Sequence, residues 1–180
     1  MIVRLARDTD IPAITGINDW YIARTAANFH AQPTGEEAML DQWRHTRERY
    51  PWLVAEASGA VIGFARASPW KGRCAYDWSA EVTVYVHHEH HRKGAGAALY
   101  VRLFEILRNQ GYRTVLAGIT QPNQASVRLH ERMGMTKVGH MMRVGWKFQA
   151  WHDVGYWQLE LVDDDAAPHT IKRVSEVCDG

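Results

Sequence analysis

Cysteine is scarce. The 180 residues hold two, Cys74 and Cys178, far apart and in no CxxC pair. That excludes a disulfide framework and a zinc site built on cysteine. Long apolar runs are missing too, since no stretch approaches the ~18 residues that a membrane helix takes. The first ten residues, MIVRLARDTD, carry charge where a secretory leader needs an apolar run. Neither sign of charge dominates: 21 Lys plus Arg face 20 Asp plus Glu, for a formal net charge of +1. Gripping nucleic acid or an anionic membrane through bulk charge is therefore not the main role, although a local basic pocket stays open. Internal repeats and low-complexity segments are also absent. The expectation is a soluble cytoplasmic protein.

What is present points to a packed core. Hydrophobic residues make up 46% of the chain and aromatics 11%, with eight Trp, which rules out disorder for most of it. The length suits one domain with a tail. Ile2 to Ala6 reads as a first strand. Ile11, Ile14, Ile17 and Tyr21 then recur at helical spacing to about Arg24. A second helix runs from the acidic turn Glu36-Glu37 to about Arg49, acid leading and base trailing as the helix dipole favours. Trp52 to Ala57 and Ala60 to Ala67 read as a hairpin about Ser58-Gly59. Residues 68–78, SPWKGRCAYDW, are a loop. Ala80 to Val86 alternates as a strand, and a helix from Gly94 to about Gln110 stops at Gly111. A strand at Thr114 to Ile119 and a short helix at Gln124 to Met133 follow. Two more strands lie near Met135 to Lys147 and Trp151 to Val162. Beyond 162 the pattern fades to a weakly ordered tail with a helical turn or two at Ile171 to Val177. Hairpins mixed with strand-helix-strand crossovers predict an α/β fold with a mixed sheet.

The segment from Val84 to Leu99, VYVHHEHHRKGAGAAL, is the most informative. A strand enters a basic, glycine-containing turn that opens a helix. Unpaired amides there, with the helix dipole, make an anion site, and Gly94 and Gly96 let a phosphate approach the backbone. On spacing alone a plain tight turn explains the glycines equally well. A dinucleotide fingerprint fails, because it needs glycine at Leu99, and no P-loop pattern occurs. The histidines at 87, 88, 90 and 91 do not make HExxH, which would need a histidine at Arg92, so no metal is expected.

The turn His91-Arg92-Lys93-Gly94-Ala95-Gly96 resembles the Q/R-x-x-G-x-G/A motif of the GNAT N-acetyltransferases, with His91 standing where that family usually has Gln or Arg. YPWLVAE (50–56), ASPWKGRCAYDW (67–78), EVTVYV (81–86), QPNQASVRLHERMGM (121–135) and WHDVGYWQ (151–158) together resemble the phosphinothricin and methionine sulfoximine acetyltransferase subfamily. The likeness covers about residues 2–162. It implies a mixed, mostly antiparallel splayed sheet flanked by helices, an acetyltransferase domain over 1–162 and a tail over 163–180. It also implies acetyl-CoA as co-substrate, no metal, a homodimer, and acetyl transfer to the α-amine of a small amino-acid analogue.

The resemblance also assigns residues. An α-ammonium must lose a proton before it attacks a thioester, so a general base is needed. Read locally, Glu81 is more readily a strand-end carboxylate paired with a cation; the family match reverses that preference and makes it the base. His130 matches a histidine near the catalytic centre, or is a satisfied structural histidine. Backbone groups of Val84, Tyr85 and Val86 would bond the pantetheine as an added strand does. Arg92, Lys93, Gly94, Ala95, Gly96 and Ala97 would hold the pyrophosphate. Asn123 matches a cofactor contact and is also a plausible helix cap. Arg132 matches a cofactor-side position, or is a surface cation. Lys71, Gly72 and Arg73, with Val82 and Thr83 beside Glu81, match the acceptor site, walled by Trp70, Tyr76 and Trp78 and closed by Phe29. The rival readings are another amine acceptor (a polyamine, an aminoglycoside or a protein N-terminus) and a non-catalytic acyl-CoA-binding module. The loop at 68–78 has two bases and one acid, which disfavours a cationic acceptor, and Glu81 beside a full cradle disfavours the binding module.

Overall fold

Alternating apolar residues give the chain its sheet, and 3.6-residue apolar periods give the helices that cover it. The computed structural model describes residues 1–178. Seven strands join in the order β1-β2-β3-β4-β5-β7-β6. They are β1 (Ile2–Leu5), β2 (Trp52–Ala57), β3 (Ala60–Pro69), β4 (Ser79–Val86), β5 (Thr114–Gln121), β6 (Thr136–Lys147) and β7 (Ala150–Glu160). The helices are α1 (Ile11–Arg24), α2 (Glu36–Thr46), α3 (Ala95–Gln110), α4 (Gln124–Arg132) and a single turn, α5 (Val174–Val177). Every neighbouring pair of strands is antiparallel except β4 and β5. That parallel pair is bridged by α3, the long crossover that parallel strands need.

The two faces of the sheet are covered differently. Leu53, Ala55, Ala65, Ala67, Ala80 and Val82 lie under Leu99, Leu103, Ile106 and Leu107 of α3 in one cluster. Trp52, Val54 and Phe64 on the opposite face lie under Ile14 and Ile17 of α1 and Met39 and Trp43 of α2. Farther along that second face the apolar cover ends, and its side chains become Arg66, Glu81, Thr83, Gly118 and Tyr156.

The β4–β5 contact is short. Ser79, Ala80 and Glu81 pair with Thr114, Val115 and Leu116, after which the strands part. β4 stays paired with β3 to its end, and β5 stays paired with β7. A wedge therefore opens inside the sheet from Glu81 outward, the splay implied by the resemblance.

The expected elements all occur, with shifted ends. β3 and β5 extend past the expected stops, to Pro69 and Gln121, and α2 stops earlier, at Thr46. The tail differs most from its expected weak order. The Trp78 indole donates to the His169 carbonyl, the Lys172 and Val174 amides donate to Gln110 and Glu48, and Val174 is buried against α3. Ile171, Val174 and Val177 supply enough apolar surface at one-turn spacing to dock, a signal too short to establish order from sequence. Asp179 and Gly180, the end of the expected tail, lie outside the described residues.

Candidate active site

Glu81 stands at the apex of the wedge, the last β4 residue paired with β5. Burial pushes its carboxyl above the ordinary carboxylate range, and the charges of Arg66 and Lys71 pull it partly back. Its surroundings come from four strands and a loop. Gly118 of β5 faces it, and a methyl group added there would meet Glu81 Oε1 at 3.7 Å and Tyr156 Cε1 at 3.4 Å. Tyr156, the β7 register partner of Gly118, meets Trp70 edge to face with centroids 5.4 Å apart. The Lys71 ammonium lies 4.6 Å from the Trp70 ring centre. Arg66, two β3 residues from the register partner of Glu81, lies on the same face.

The open edge of β4 has a definite polarity. His87 donates to Ile62 at 2.8 Å, which fixes the hydrogen-bonding phase of the β3–β4 ladder. Alternation then aims the main-chain groups of Tyr85, Thr83 and Glu81 at β3, and those of Val82, Val84 and Val86 into the wedge. The Val86 carbonyl already accepts from the Tyr21 hydroxyl at 2.8 Å, with His91 Nε2 at 3.0 Å. Both main-chain groups of Val84 and the amide of Val86 thus face the wedge. The expected pantetheine contact through the Tyr85 backbone is corrected, because those groups belong to β3. The Tyr85 side chain donates instead to the Ala27 carbonyl, and burial pushes its phenol up to about 12.

Past β4 the chain builds the cradle. The amides of Arg92 through Ala97 make no backbone hydrogen bond among the described residues, and the first helical bond is Ala98 to Gly94. Gly94, with φ of 85°, and Arg92, with φ of 60°, turn the chain through the left-handed region before α3 begins. Gly96 has a packing reason for lacking a side chain, since an added methyl would sit 3.0 Å from Leu129 of α4. His91 is exposed but lies 2.7 Å from the Tyr21 hydroxyl, and so anchors the loop to α1. Arg92 and Lys93 are exposed beside the amides.

The remaining expected residues divide. Asn123 caps α4, its Oδ1 accepting from the Ser126 amide at 3.1 Å, which leaves its amide nitrogen to donate outward. Arg132 is exposed at the end of α4. His130 is buried, 4% exposed, with Nδ1 2.7 Å from the Ser126 carbonyl and Nε2 2.9 Å from the Tyr100 hydroxyl. A carbonyl only accepts, so Nδ1 carries the proton and Nε2 accepts from Tyr100. Burial lowers the proton affinity of this imidazole and keeps it neutral. Its contacts are structural, and it reaches the site only through Tyr100, whose phenol feels the charge of Glu81.

Val82 is corrected as an acceptor contact through its side chain, which is buried under α3 because it sits one alternation step from Glu81. Thr83 faces the acceptor side, opposite Arg66. Gly72, Arg73 and Tyr76 are exposed on the 70–78 loop, and Trp78 is engaged by the tail. Phe29 packs by Gly145 and His152 of the β6–β7 hairpin. Sequence reasoning missed Arg66, Gly118, Tyr156 and Tyr21. Arg66 does leave a trace, a charge in the otherwise apolar strand AVIGFARA. Among the described residues no group of three or more His, Cys, Asp or Glu is placed to hold a metal ion.

Comparison with known proteins matches this geometry. The acetyltransferase (GNAT) family model aligns with residues 16–135. A phosphinothricin N-acetyltransferase of Streptomyces viridochromogenes is 42% identical over 175 residues, 97% of this chain and 95% of that protein. An L-methionine sulfoximine/L-methionine sulfone acetyltransferase of Salmonella typhimurium is 37% identical, covering 93% of this chain and 98% of that protein. The crystal structure of a phosphinothricin acetyltransferase from Sinorhizobium meliloti in complex with acetyl-CoA superimposes with a TM-score of 0.89 at 31% identity, over 93% of this chain and 92% of that one.

Proposed function

Because the chain belongs to the acetyltransferase (GNAT) family and is an acetyl-CoA-dependent N-acetyltransferase, we propose that it acetylates the α-amine of a small amino-acid analogue of the phosphinothricin, methionine sulfoximine or methionine sulfone type. The observation that carries this reading is the place of Glu81: a buried carboxylate of raised proton affinity where β4 and β5 part, beside the open main-chain edge of Val84.

The residues of the wedge and cradle fit acetyl-CoA. The amides of Arg92 to Ala97, with the charges of Arg92 and Lys93, suit a pyrophosphate, and Val84 and the Asn123 side-chain amide suit the polar pantetheine arm. When bound, acetyl-CoA supplies the thioester carbonyl that the amine attacks. Glu81 takes the ammonium proton, directly or through one water, and its raised proton affinity makes it a better base than a solvated carboxylate. Trp70 and Tyr156 wall the acceptor side and keep water from it. Lys71 and Arg73 offer positive charge to the acceptor's anionic or strongly polar groups. His130 is a positioning residue in this reading, fixing Tyr100 behind the wedge.

The same reading includes a homodimer joined through the β6–β7 hairpin. Met142, Trp146, Phe148 and Trp151 there are 75%, 59%, 57% and 58% exposed, and β6 is an edge strand. Large exposed apolar side chains on a sheet edge call for a cover. No described helix is long and apolar enough to cross a membrane, and the reading includes a cytoplasmic site of action.

The test is thiol release from acetyl-CoA across a panel of amino-acid analogues, polyamines and aminoglycosides. Turnover with methionine sulfone or phosphinothricin, and a fall of about 100-fold or more in kcat for Glu81→Gln with acetyl-CoA affinity kept, is the expected result. Unchanged turnover in that variant removes Glu81 as the base. Turnover with polyamines alone removes the amino-acid acceptor.

A further inference from the structure

Arg66 is unlike the other partly covered arginines of the molecule. Arg4 holds Asp10 and Glu56, Arg113 holds Asp164, and Arg102 holds Glu105. Arg66 makes no hydrogen bond and no ion pair among the described residues, although it lies deep in the fold between the buried Ala65 and Ala67. A guanidinium carries five donors in a planar fork, and leaving them unmet away from bulk water is costly. Its ring of neighbours explains how it is held without being satisfied. The guanidinium carbon stands 4.7 Å from the centre of the Trp52 ring, and Trp52 is its β2 register partner. Stacking of this kind fixes the plane and leaves the N–H edge free to bond. The side chain is still partly exposed.

The face on which Arg66 lies is the face of Glu81. The two feel each other's charge and yet form no ion pair. A cation and a carboxylate therefore share this face without pairing, with Thr83, the register partner of Arg66, next to Glu81 along β4. An arrangement of this kind complements a zwitterion, whose ammonium meets Glu81 while its carboxylate meets the fork.

We infer that Arg66 is the specificity residue that receives the acceptor's α-carboxylate in a bidentate pair while Glu81 receives its α-ammonium. The inference rests on the amino-acid acceptor proposed above and deepens it. It makes the carboxylate, and not the side chain, the feature that admits an acceptor. An amine of the same shape without the carboxylate leaves the partly covered fork unpaired, and sites built to pair a polar group discriminate strongly against analogues that lack it.

The probes are methionine sulfone, its α-carboxamide and the corresponding decarboxylated amine, each assayed for thiol release with saturating acetyl-CoA. The wild-type enzyme is expected to favour the free acid over both neutral analogues by about 100-fold in kcat/KM. Arg66→Gln is expected to raise the acceptor KM by about 100-fold, to bring the acid-to-amide ratio toward one, and to leave the KM for acetyl-CoA unchanged. Arg66→Lys is expected to recover part of the ratio, because it keeps the charge and loses the fork. A merely structural role would lower stability or kcat for all three probes alike and leave their ratio where it was, which would overturn the inference. Equal wild-type rates on acid and amide overturn it without any variant. Transfer to no amino acid at all overturns the proposed acceptor and this inference together, whereas transfer with the ratio unmoved in Arg66→Gln overturns this inference alone.

Discussion

Two carboxylates show how burial and partners compete at single residues. Burial raises the proton affinity of both Glu81 and Asp10. For Glu81 the rise prevails, because Arg66 and Lys71 act only through space. For Asp10 it is outweighed, because Arg4 donates at 2.6 and 2.9 Å and the Arg7 amide at 2.8 Å, and the carboxyl ends below its ordinary range. Activity and stability should therefore respond to acid differently. If Glu81 is the base, as proposed, acetyl transfer needs it deprotonated, so the acid limb should lie above the usual carboxylate range and move in variants of Arg66; the pH profile of kcat/KM checks this. Asp10 binds its proton more weakly folded than unfolded. It contributes stability above the unfolded carboxylate value, and that contribution disappears as pH falls through the folded one. Asp10→Asn should cost about 2 kcal/mol at neutral pH, less than a fully buried pair because Arg4 is partly solvated, and should flatten the acid side of the stability curve in urea titrations.

At the scale of elements, the site depends on where regular structure ends. β4 stops pairing with β5 after Glu81, and α3 begins with a run of unsatisfied amides. Gly94 sets the direction of that run from the left-handed region. Gly94→Ala forces a side chain into that conformation at about 1–2 kcal/mol, so the run of amides should shift. Acetyl-CoA affinity by calorimetry should fall about tenfold while the melting temperature drops only slightly. The glycine turn, the strand before it and the helix after it were legible in the sequence, because local rules govern all three. The ladder phase was not. Whether Tyr85 or Val84 offers its main chain to the wedge depends on the register against β3, a partner far away in sequence. The docking of the last turn on α3 escaped for a related reason, since Ile171, Val174 and Val177 become meaningful only beside the end of α3.

At the scale of the whole molecule, two cores on opposite faces of the sheet leave one region of one face uncovered, and the cleft lies there. The β6–β7 hairpin at the far edge is tied back to the acceptor side, with the Lys147 ammonium donating to the carbonyls of Ile22 and Asn28 at 2.6 Å each. A partner on the hairpin would thus steady the loop that carries Phe29. Met142→Glu with Trp146→Glu should convert a dimer to a monomer in sedimentation, and should raise the acceptor KM more than the KM for acetyl-CoA. A wild-type protein that sediments as a monomer at micromolar concentration removes the dimer from the reading.

Composition, period and turn chemistry sufficed for the class of fold, the order of its strands and helices along the chain, and the glycine turn before α3, since each follows from interactions among residues close together along the chain. The likeness of several motifs added the co-substrate, and with it the proposal that Glu81 is the base. Only the folded chain decided that Arg66 and Glu81 share a face without touching, that His130 is already satisfied by Tyr100 and Ser126, and that Val82 belongs to the core. Those outcomes depend on strand register and on which face each helix covers. Long-range contacts fix both, and a one-residue slip would reverse them.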